Sequence, residues 1–218
     1  MFRKQLGLNE FLASVVYITD GDASYAGLGA RLALDFVSTS NWTPRENYDL
    51  PTILRCAERI QEFGHPIRIL LAGDGPLRPL VEATIRERKL HSITYLGRLD
   101  VDVLCRLYAQ CDLALSTYVA NSTVSMPIKA YDYFAAGLPQ VNSLGRDLGE
   151  LIRRHQLGLQ YEPGNPESLL AALVTLANNP QLRLIARINA LAISPSFDWR
   201  RQYGKAVRFI EKIGAEIR

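Results

Sequence analysis

The sequence predicts an α/β domain with a Rossmann-like parallel sheet covered by helices on both faces. Short apolar segments alternate with longer segments in which apolar residues recur at helical spacing. Glycine and proline residues separate most of these segments, as expected for turns between strands and helices. Alternation of this kind favours a parallel sheet whose strands are connected by helices.

Composition sets broad limits on function. The chain of 218 residues is long enough for a substantial core, and its net charge of +3 is too small to indicate a nucleic-acid partner. Cys56, Cys105 and Cys111 form no C-x-x-C pattern, so we expect buried free thiols in a reducing compartment. The three histidines are scattered, and no protein metal site is expected. No apolar segment approaches the roughly 20 residues needed to cross a bilayer.

Three regions are predicted along the chain. Residues 1–30 form an N-terminal segment or the remnant of a linker, within which the apolar residues 11–18 are expected to form a strand rather than a signal peptide. Residues 31–195 form the Rossmann-like domain. Residues 196–218 form a basic amphipathic helix that is expected to pack on the domain, and a peripheral contact with a membrane is the alternative.

The domain begins with an apolar strand at residues 32–37, followed by the polar loop Ser38–Glu46. Hydroxyl and backbone N–H groups after a strand are suited to bind an anion. The other interpretation is an ordinary turn, in which the Ser and Thr side chains only cap backbone groups. The further predicted strands are 67–72, 92–96, 111–115, 140–143 and 158–161. The predicted helices are 50–60, one ending at 88, 101–110, 125–137, 147–155, two within 166–190, and 197–217.

The loops that follow the strands are expected to meet at one edge of the sheet, where α/β folds bind ligands. These loops are Ser38–Arg45, Gly73–Pro76, Gly97–Leu99 and Ser116–Ser125. The Gly73-Asp-Gly-Pro76 turn lacks the third glycine of a dinucleotide-binding fingerprint, so that motif alone indicates only a tight turn.

The helix within Ser125–Pro139 is the centre of the predicted site. Ser125 is expected to cap the helix, Pro127 to lie in its first turn, and Gly137 to end it. Lys129 and Asp132 are three residues apart and share a face. A cation, an acceptor and a helix N-terminus suit a sugar diphosphate, whereas an exposed ion pair is the simpler interpretation.

Two separated motifs resemble one enzyme family. Ser38-Thr-Ser-Asn-Trp-Thr-Pro-Arg-Glu46 resembles the S-T-S-W-T-P-x-E loop of the chitobiosyldiphosphodolichol β-mannosyltransferases, and Ser122–Pro139 resembles their S-x-x-D-x-P-x-K-x-x-D-x-F-x-x-x-L-P stretch. The resemblance covers roughly residues 32–175 and implies the C-terminal, donor-binding half of a GT-B glycosyltransferase. In the retaining E-x7-E group the first acid would fall at Val124, and the β-mannosyltransferases also have an apolar residue there.

The resemblance implies a nucleotide diphosphate sugar as donor substrate, GDP-mannose in these enzymes, with no cofactor and no protein-bound metal. It places Lys129 on the diphosphate and Asp132 on the ribose hydroxyls. The other implied donor-binding residues are Ser38, Thr39 and Arg45 near the phosphates, Gly97, Arg98 and Leu99 beside the base, and Gly73 and Ser125. Ser125 replaces an acid of the family pattern, and Gln140 stands where valine is usual.

The resemblance also sets expectations for the reaction and its partners. The chain is expected to transfer a hexosyl group, expected to be mannosyl, to a glycan or to a polyprenyl- or dolichyl-linked acceptor at the cytoplasmic face of a membrane. No residue is identified as catalytic, because the general base of such enzymes would come from the other half. A non-catalytic or truncated nucleotide-binding half, or a half that works with a separate acceptor-domain subunit, is the alternative.

Overall fold

The structure is a computed structural model and describes residues 11–18, 32–33, 36–37 and 48–216. The strands are β1 (Phe11–Ile18), β2 (Leu32–Ala33), β3 (Phe36–Val37), β4 (Ile67–Ala72), β5 (Ile93–Gly97), β6 (Leu113–Ser116), β7 (Gln140–Asn142) and β8 (Gly158–Gln160). The helices are α1 (Leu50–Glu62), α2 (Arg78–Glu87), α3 (Val101–Ala109), α4 (Ile128–Ala135), α5 (Asp147–His155), α6 (Pro166–Asn178), α7 (Pro180–Ile193) and α8 (Trp199–Glu216). A 3-10 segment, Ser194–Phe197, connects α7 to α8.

The strands form one sheet in the order β5-β4-β1-β6-β7-β8. The neighbouring pairs β4–β5, β6–β7 and β7–β8 are parallel, and β2 also pairs in parallel with β6. This confirms the predicted α/β, Rossmann-like class. One feature differs from the prediction, because β1 runs antiparallel to both β4 and β6. The strand predicted at residues 11–18 therefore forms, and it lies at the centre of the sheet.

Buried side chains form two clusters that involve the connecting helices. The larger cluster joins α1, α3 and α6 to strands β4, β6 and β7, and includes Ile53, Ile69 and Leu113. The smaller cluster joins α4, α5 and α7, and includes Phe134, Leu148 and Ala190. Because α4 contributes to both clusters, through Tyr133 to the first and Phe134 to the second, its position is fixed from two sides.

The predicted segments from residue 48 onward agree closely with the observed elements. The strand predicted from residue 111 begins only at Leu113, because the Cys111 N–H donates to the Tyr108 carbonyl and its Sγ–H to the Leu107 carbonyl, which closes the end of α3. In α8, the side chains of Tyr203, Val207, Phe209, Ile210 and Ile213 are exposed, and the packing of this helix on the domain stays a prediction. The domain boundaries predicted at residues 31 and 195 stay predictions.

The cysteine prediction is correct for two of the three residues. Cys56 and Cys111 are buried, and burial raises the pKa of the Cys56 thiol far above its usual range. Cys105 is exposed on α3, so the prediction of three buried thiols is wrong there. Within the described ranges, no helix is long and apolar enough to cross a membrane. Among those same residues, His, Cys, Asp and Glu side chains form no cluster suited to a metal ion.

Candidate functional site

The carboxyl ends of β4 and β5 are joined directly through two of the predicted site glycines. The Gly73 N–H donates to the Gly97 carbonyl at 2.6 Å, and the Tyr95 hydroxyl donates to the Gly73 carbonyl at 2.5 Å. Gly73 has φ +139° and Gly97 has φ +64°, conformations that glycine adopts without the steric penalty of a Cβ. The structure therefore brings Gly73 and Gly97 together, as the convergence of strand ends predicts.

The turn after β4 leads into α2 without a third glycine. Asp74 accepts from the Gly75 N–H through its carboxylate at 2.9 Å, and the Gly75 carbonyl accepts from the Arg78 N–H at 3.0 Å. These local bonds account for the motif as a tight strand-to-helix turn. After β5, Arg98 is exposed and Leu99 is half-buried at the same edge.

Helix α4 carries the two charged residues at the centre of the prediction. Pro127 is its N-cap residue, with extended backbone, rather than a residue of the first turn. At the other end Gly137 has φ +67°, and the Leu138 N–H donates to the Tyr133 carbonyl at 2.9 Å. This six-to-one bond around a left-handed glycine is a Schellman motif, which confirms Gly137 as the residue that ends the helix.

Lys129 lies at the start of α4 and is only 3% exposed. Its Nζ is 4.8 Å from the centroid of the Tyr48 ring and 4.9 Å from that of Tyr118. The two rings are themselves in contact, with centroids 4.9 Å apart. Aromatic faces attract an ammonium group, and the attraction is stronger where water is excluded. The exposed position expected in the simpler interpretation is therefore wrong for Lys129, while Asp132, one turn further along, is half-buried.

Backbone and hydroxyl contacts hold both tyrosines in place. Ser143, directly after β7, accepts from the Tyr118 N–H through Oγ at 2.7 Å and donates to the Tyr118 carbonyl at 2.9 Å. Tyr48 forms an isolated antiparallel bridge with Tyr118. The buried carboxylate of Asp49 accepts from the Thr52 N–H at 3.3 Å and the Gly164 N–H at 2.7 Å. The rings beside Lys129 are thus anchored to β6, β7 and α1.

Gln140, the unusual residue at the start of β7, connects two strands to α4. Its side chain is fully buried. The Ser116 hydroxyl donates to its Oε1 at 3.1 Å, and its Nε2 donates to the Ala130 carbonyl at 3.4 Å. Ala130 follows Lys129 in α4, so this side chain sets the distance between the helix and the sheet next to the buried cation.

Ser125 caps a different helix from the one predicted. Its Oγ accepts from the Asp147 N–H at 3.3 Å, and its carbonyl accepts from the Leu148 N–H at 3.1 Å, both in the first turn of α5. Helix α4 has no side-chain cap. The prediction that Ser125 caps α4 is therefore wrong, because the chain between Ser125 and Pro127 turns the hydroxyl towards α5.

The structure groups some of the predicted site residues and adds others. Ser38, Thr39 and Arg45 lie outside the described residues. Lys129 and Asp132 share α4, whereas Gly73, Gly97, Arg98 and Leu99 lie at the ends of β4 and β5. Sequence reasoning missed Tyr48, Ser143 and the role of Tyr118. The one available signal was that Tyr118 immediately follows a strand and precedes α4.

The fold is that of the Rossmann-like halves of GT-B glycosyltransferases, and it defines the class of protein. The pneumococcal O-GlcNAc transferase GtfA, solved with UDP and GlcNAc, aligns with a TM-score of 0.62 at 15% identity over 76% of this chain and 33% of that chain. Sucrose-phosphate synthase from Thermosynechococcus elongatus aligns with a TM-score of 0.60 at 19% identity over 78% and 43%, respectively.

The family follows from the sequence profile of the group 1 glycosyl transferases, which matches residues 34–179. The chain belongs to this family. It is 28% identical over 172 residues to the human chitobiosyldiphosphodolichol beta-mannosyltransferase, covering 74% of this chain and 36% of that protein. It is 26% identical over 147 residues to a glycosyltransferase of Methanocaldococcus jannaschii, covering 67% of this chain and 40% of that protein. The chain thus spans well under half the length of both relatives.

Proposed function

We propose that this chain is the donor-binding half of a glycosyltransferase that transfers a mannosyl group from a nucleotide diphosphate sugar to a glycan or lipid-linked acceptor. One observation supports this most directly. Within a group 1 glycosyltransferase domain, Lys129 lies buried against two tyrosine rings at the first turn of α4. Burying an ammonium group costs free energy, so a fold that does so at a strand-end edge is suited to bind an anion there.

In this proposal, Lys129 and the backbone N–H groups at the start of α4 bind the diphosphate. Helix α4 has no side-chain cap, and a helix N-terminus favours negative charge. The same groups stabilise the charge that develops on the leaving nucleoside diphosphate as the glycosidic bond breaks. Ser38, Thr39 and Arg45, from the motif loop, add hydroxyl and guanidinium contacts to the phosphates.

Asp132 accepts hydrogen bonds from the ribose hydroxyls and orients the nucleoside. Gly73 and Gly97 allow the donor to approach the backbone, while Arg98 and Leu99 border the base. No protein-bound metal or other cofactor takes part, and the nucleotide sugar is the substrate. The mannosyl group is inferred from the names of the β-mannosyltransferase relatives. The guanine base rests on the family resemblance of the two sequence motifs, and UDP in the titles of solved structures makes uracil the competing base.

The chain spans 40% and 36% of the length of the two relatives described above, which favours a second arrangement as well. In this second arrangement, the chain binds the donor but transfers sugar only together with an acceptor-binding half. That half supplies the general base, and the transfer takes place at the cytoplasmic face of a membrane. A transfer assay with radiolabelled GDP-mannose and a phytanyl-linked chitobiose acceptor distinguishes the two arrangements. Turnover by the chain alone supports the first, and donor binding without turnover supports the second.

The decisive experiment is isothermal titration of the 218-residue chain with GDP, UDP, guanosine and GDP-mannose. We expect saturable binding of GDP and GDP-mannose that exceeds binding of UDP. Lys129→Met keeps most of the side-chain volume and removes the charge, so it should weaken GDP binding by about 1–3 kcal/mol while leaving guanosine binding nearly unchanged. Asp132→Asn should weaken GDP and guanosine by similar factors.

Matched surface variants control for charge. Arg154→Met removes a cation whose partner is Glu150 on the exposed face of α5, and Asp102→Asn removes a carboxylate from the exposed first turn of α3. Neither should change nucleotide binding. Equal small effects of Lys129→Met on GDP and guanosine would remove Lys129 from the site. A folded chain that binds none of the four ligands would contradict the proposal.

A further inference from the structure

Lys129, Tyr48 and Tyr118 form a compact triangle at the first turn of α4. The Lys129 Nζ lies over both rings, 4.8 Å from the centroid of Tyr48 and 4.9 Å from that of Tyr118, and the two centroids are 4.9 Å apart. An aromatic ring attracts a cation through its quadrupole and brings no charge of its own. The two rings therefore hold the ammonium group in place without contributing an opposite charge.

The triangle connects three separate elements. Tyr48 lies just before α1, Tyr118 lies just after β6, and Lys129 belongs to α4. A lysine that contacted only its own helix would be free to turn about its side-chain bonds. Contacts from two other elements instead fix the position of Nζ relative to the edge of the sheet.

Both rings are themselves anchored through the backbone. The Ser143 hydroxyl contacts both backbone groups of Tyr118, accepting from its N–H at 2.7 Å and donating to its carbonyl at 2.9 Å. Tyr48 is followed by the buried Asp49, whose N–H donates to the Thr117 carbonyl at 3.4 Å. The rings are thus held by hydrogen bonds that do not involve Lys129.

Arg78 provides the internal comparison. Its guanidinium group lies 5.9 Å from the centroid of the Tyr95 ring, and its side chain is 47% exposed. The same group pairs with the Glu82 carboxylate at 3.0 Å. An exposed cation over one ring is an ordinary surface contact of small energetic value. Lys129 differs, because it is 3% exposed and lies over two rings.

A fixed lysine binds an anion at a lower entropic cost than a mobile one. A lysine side chain loses much conformational entropy when it is held in one rotamer. An exposed lysine loses that entropy when its ligand binds, whereas Lys129 has lost it on folding. A group that is already in its binding position gives a higher affinity for the same contact.

We infer that Tyr48 and Tyr118 are positioning residues for Lys129, and that this ring pair sets how strongly the site selects a diphosphate over a bare nucleoside. Their role rests on the proposed function, because the anion that meets Lys129 is the diphosphate of the donor. The rings act on the ligand only through the ammonium group. Their effect should therefore vanish when the ammonium group is removed.

The test is isothermal titration of the 218-residue chain with GDP and with guanosine in a double-variant cycle. Tyr48→Leu and Tyr118→Leu should each weaken GDP binding by roughly 3- to 10-fold and leave guanosine binding nearly unchanged. In the Lys129→Met background, the same two substitutions should change GDP binding by less than about twofold. Tyr48→Phe and Tyr118→Phe keep the ring, so they should recover most of the affinity that leucine loses.

Tyr108→Leu is the matched control for the loss of a buried ring. Tyr108 lies on α3 and packs edge-on against Tyr133, with centroids 5.6 Å apart, so its loss should leave the ratio of GDP to guanosine affinity unchanged. Circular dichroism verifies that each variant is folded. Tyr48→Leu provides the test even if Tyr118→Leu does not fold, because Tyr48 is only half-buried.

The outcomes separate this role from the proposed function. Leucine variants that weaken GDP equally with Lys129 and with Met at that position would show a purely structural role and overturn the inference. Unchanged GDP binding by the leucine variants, with a clear loss for Lys129→Met, would overturn the inference alone. A Lys129→Met variant that binds GDP as tightly as the unmodified chain would overturn both the inference and the proposed diphosphate contact.

Discussion

Helices α4 and α8 are built from similar residues and are used in opposite ways. Both contain lysine and aromatic residues at helical spacing. In α4 the Tyr133 and Phe134 side chains are fully buried and Lys129 is 3% exposed, whereas in α8 Phe209 and Ile210 are about two-thirds exposed. The difference teaches that amphipathic patterning predicts a helix without predicting what its apolar face contacts.

The position of each helix in the chain explains the difference. Helix α4 connects β6 to β7, which are neighbours in the sheet, so both of its ends are fixed next to those strands. Helix α8 follows the 3-10 segment after the last described strand, and no strand that follows it constrains its direction within residues 48–216. A crossover helix is held in place by the strands on both of its sides, whereas α8 lies between no two strands in the part of the chain that the structure describes.

The largest expected difference between the helices comes from truncating one aromatic residue in each. Phe134→Ala removes a buried ring that stacks on Phe197, with centroids 5.7 Å apart, and should lower the free energy of unfolding by about 3–5 kcal/mol. Phe209→Ala on α8 should change it by less than about 0.5 kcal/mol. Urea unfolding monitored by circular dichroism measures both. A loss above 2 kcal/mol for Phe209→Ala would show that α8 is packed in solution.

The second prediction concerns how α4 is anchored to the sheet. Gln140→Val leaves the buried Ser116 hydroxyl and the Ala130 carbonyl without this partner, so it should cost about 1–3 kcal/mol of stability. Adding Ser116→Ala to the Gln140→Val variant should recover part of that loss, because it removes the hydroxyl that has lost its Gln140 acceptor. Strictly additive losses in the double-variant cycle would show that the two side chains do not act as a pair.

The smallest expected effects come from one glycine at each helix. Gly137→Ala should destabilise by about 1–2 kcal/mol, because φ is +67° and the new Cβ would lie 3.0 Å from Leu191 Cγ. Gly204→Ala, within α8, meets only the end of Arg208 at 3.6 Å and should stabilise the helix by about 0.5–1 kcal/mol. Thermal unfolding shows whether each substitution raises or lowers the stability. Higher stability for both variants would contradict the described end of α4.

Most elements could be predicted because their signals are local. The apolar run at Ile67–Ala72, the Gly73–Pro76 turn and the stop at Gly137 are determined by neighbouring residues, and each lies where expected. The antiparallel direction of β1 was not predictable, because it depends on pairing with β4 and β6, which lie far along the chain.

In the candidate site, too, features determined by neighbouring residues were predictable and features determined by distant contacts were not. The motif spacing places Lys129 and Asp132 on α4, and the alternation of strands and helices predicts that Gly73 and Gly97 meet. The environment of Lys129 was beyond prediction, since Tyr48 reaches it from the start of α1 and no local pattern connects the two residues. Ser125 shows the same limit: a capping residue is recognisable from sequence, but which helix it caps depends on the path of the chain.

The central position of β1 also has a consequence for biosynthesis. Its residues leave the ribosome before either of its neighbours, yet β4 begins at residue 67 and β6 at residue 113. Until β4 has been synthesised β1 lacks both of these neighbours, and the edge that faces β6 stays open until β6 follows; an open edge of an apolar strand is prone to pair with other chains. We therefore expect the nascent chain to depend on chaperones until α3 and β6 have emerged, after which the two halves of the sheet close around β1.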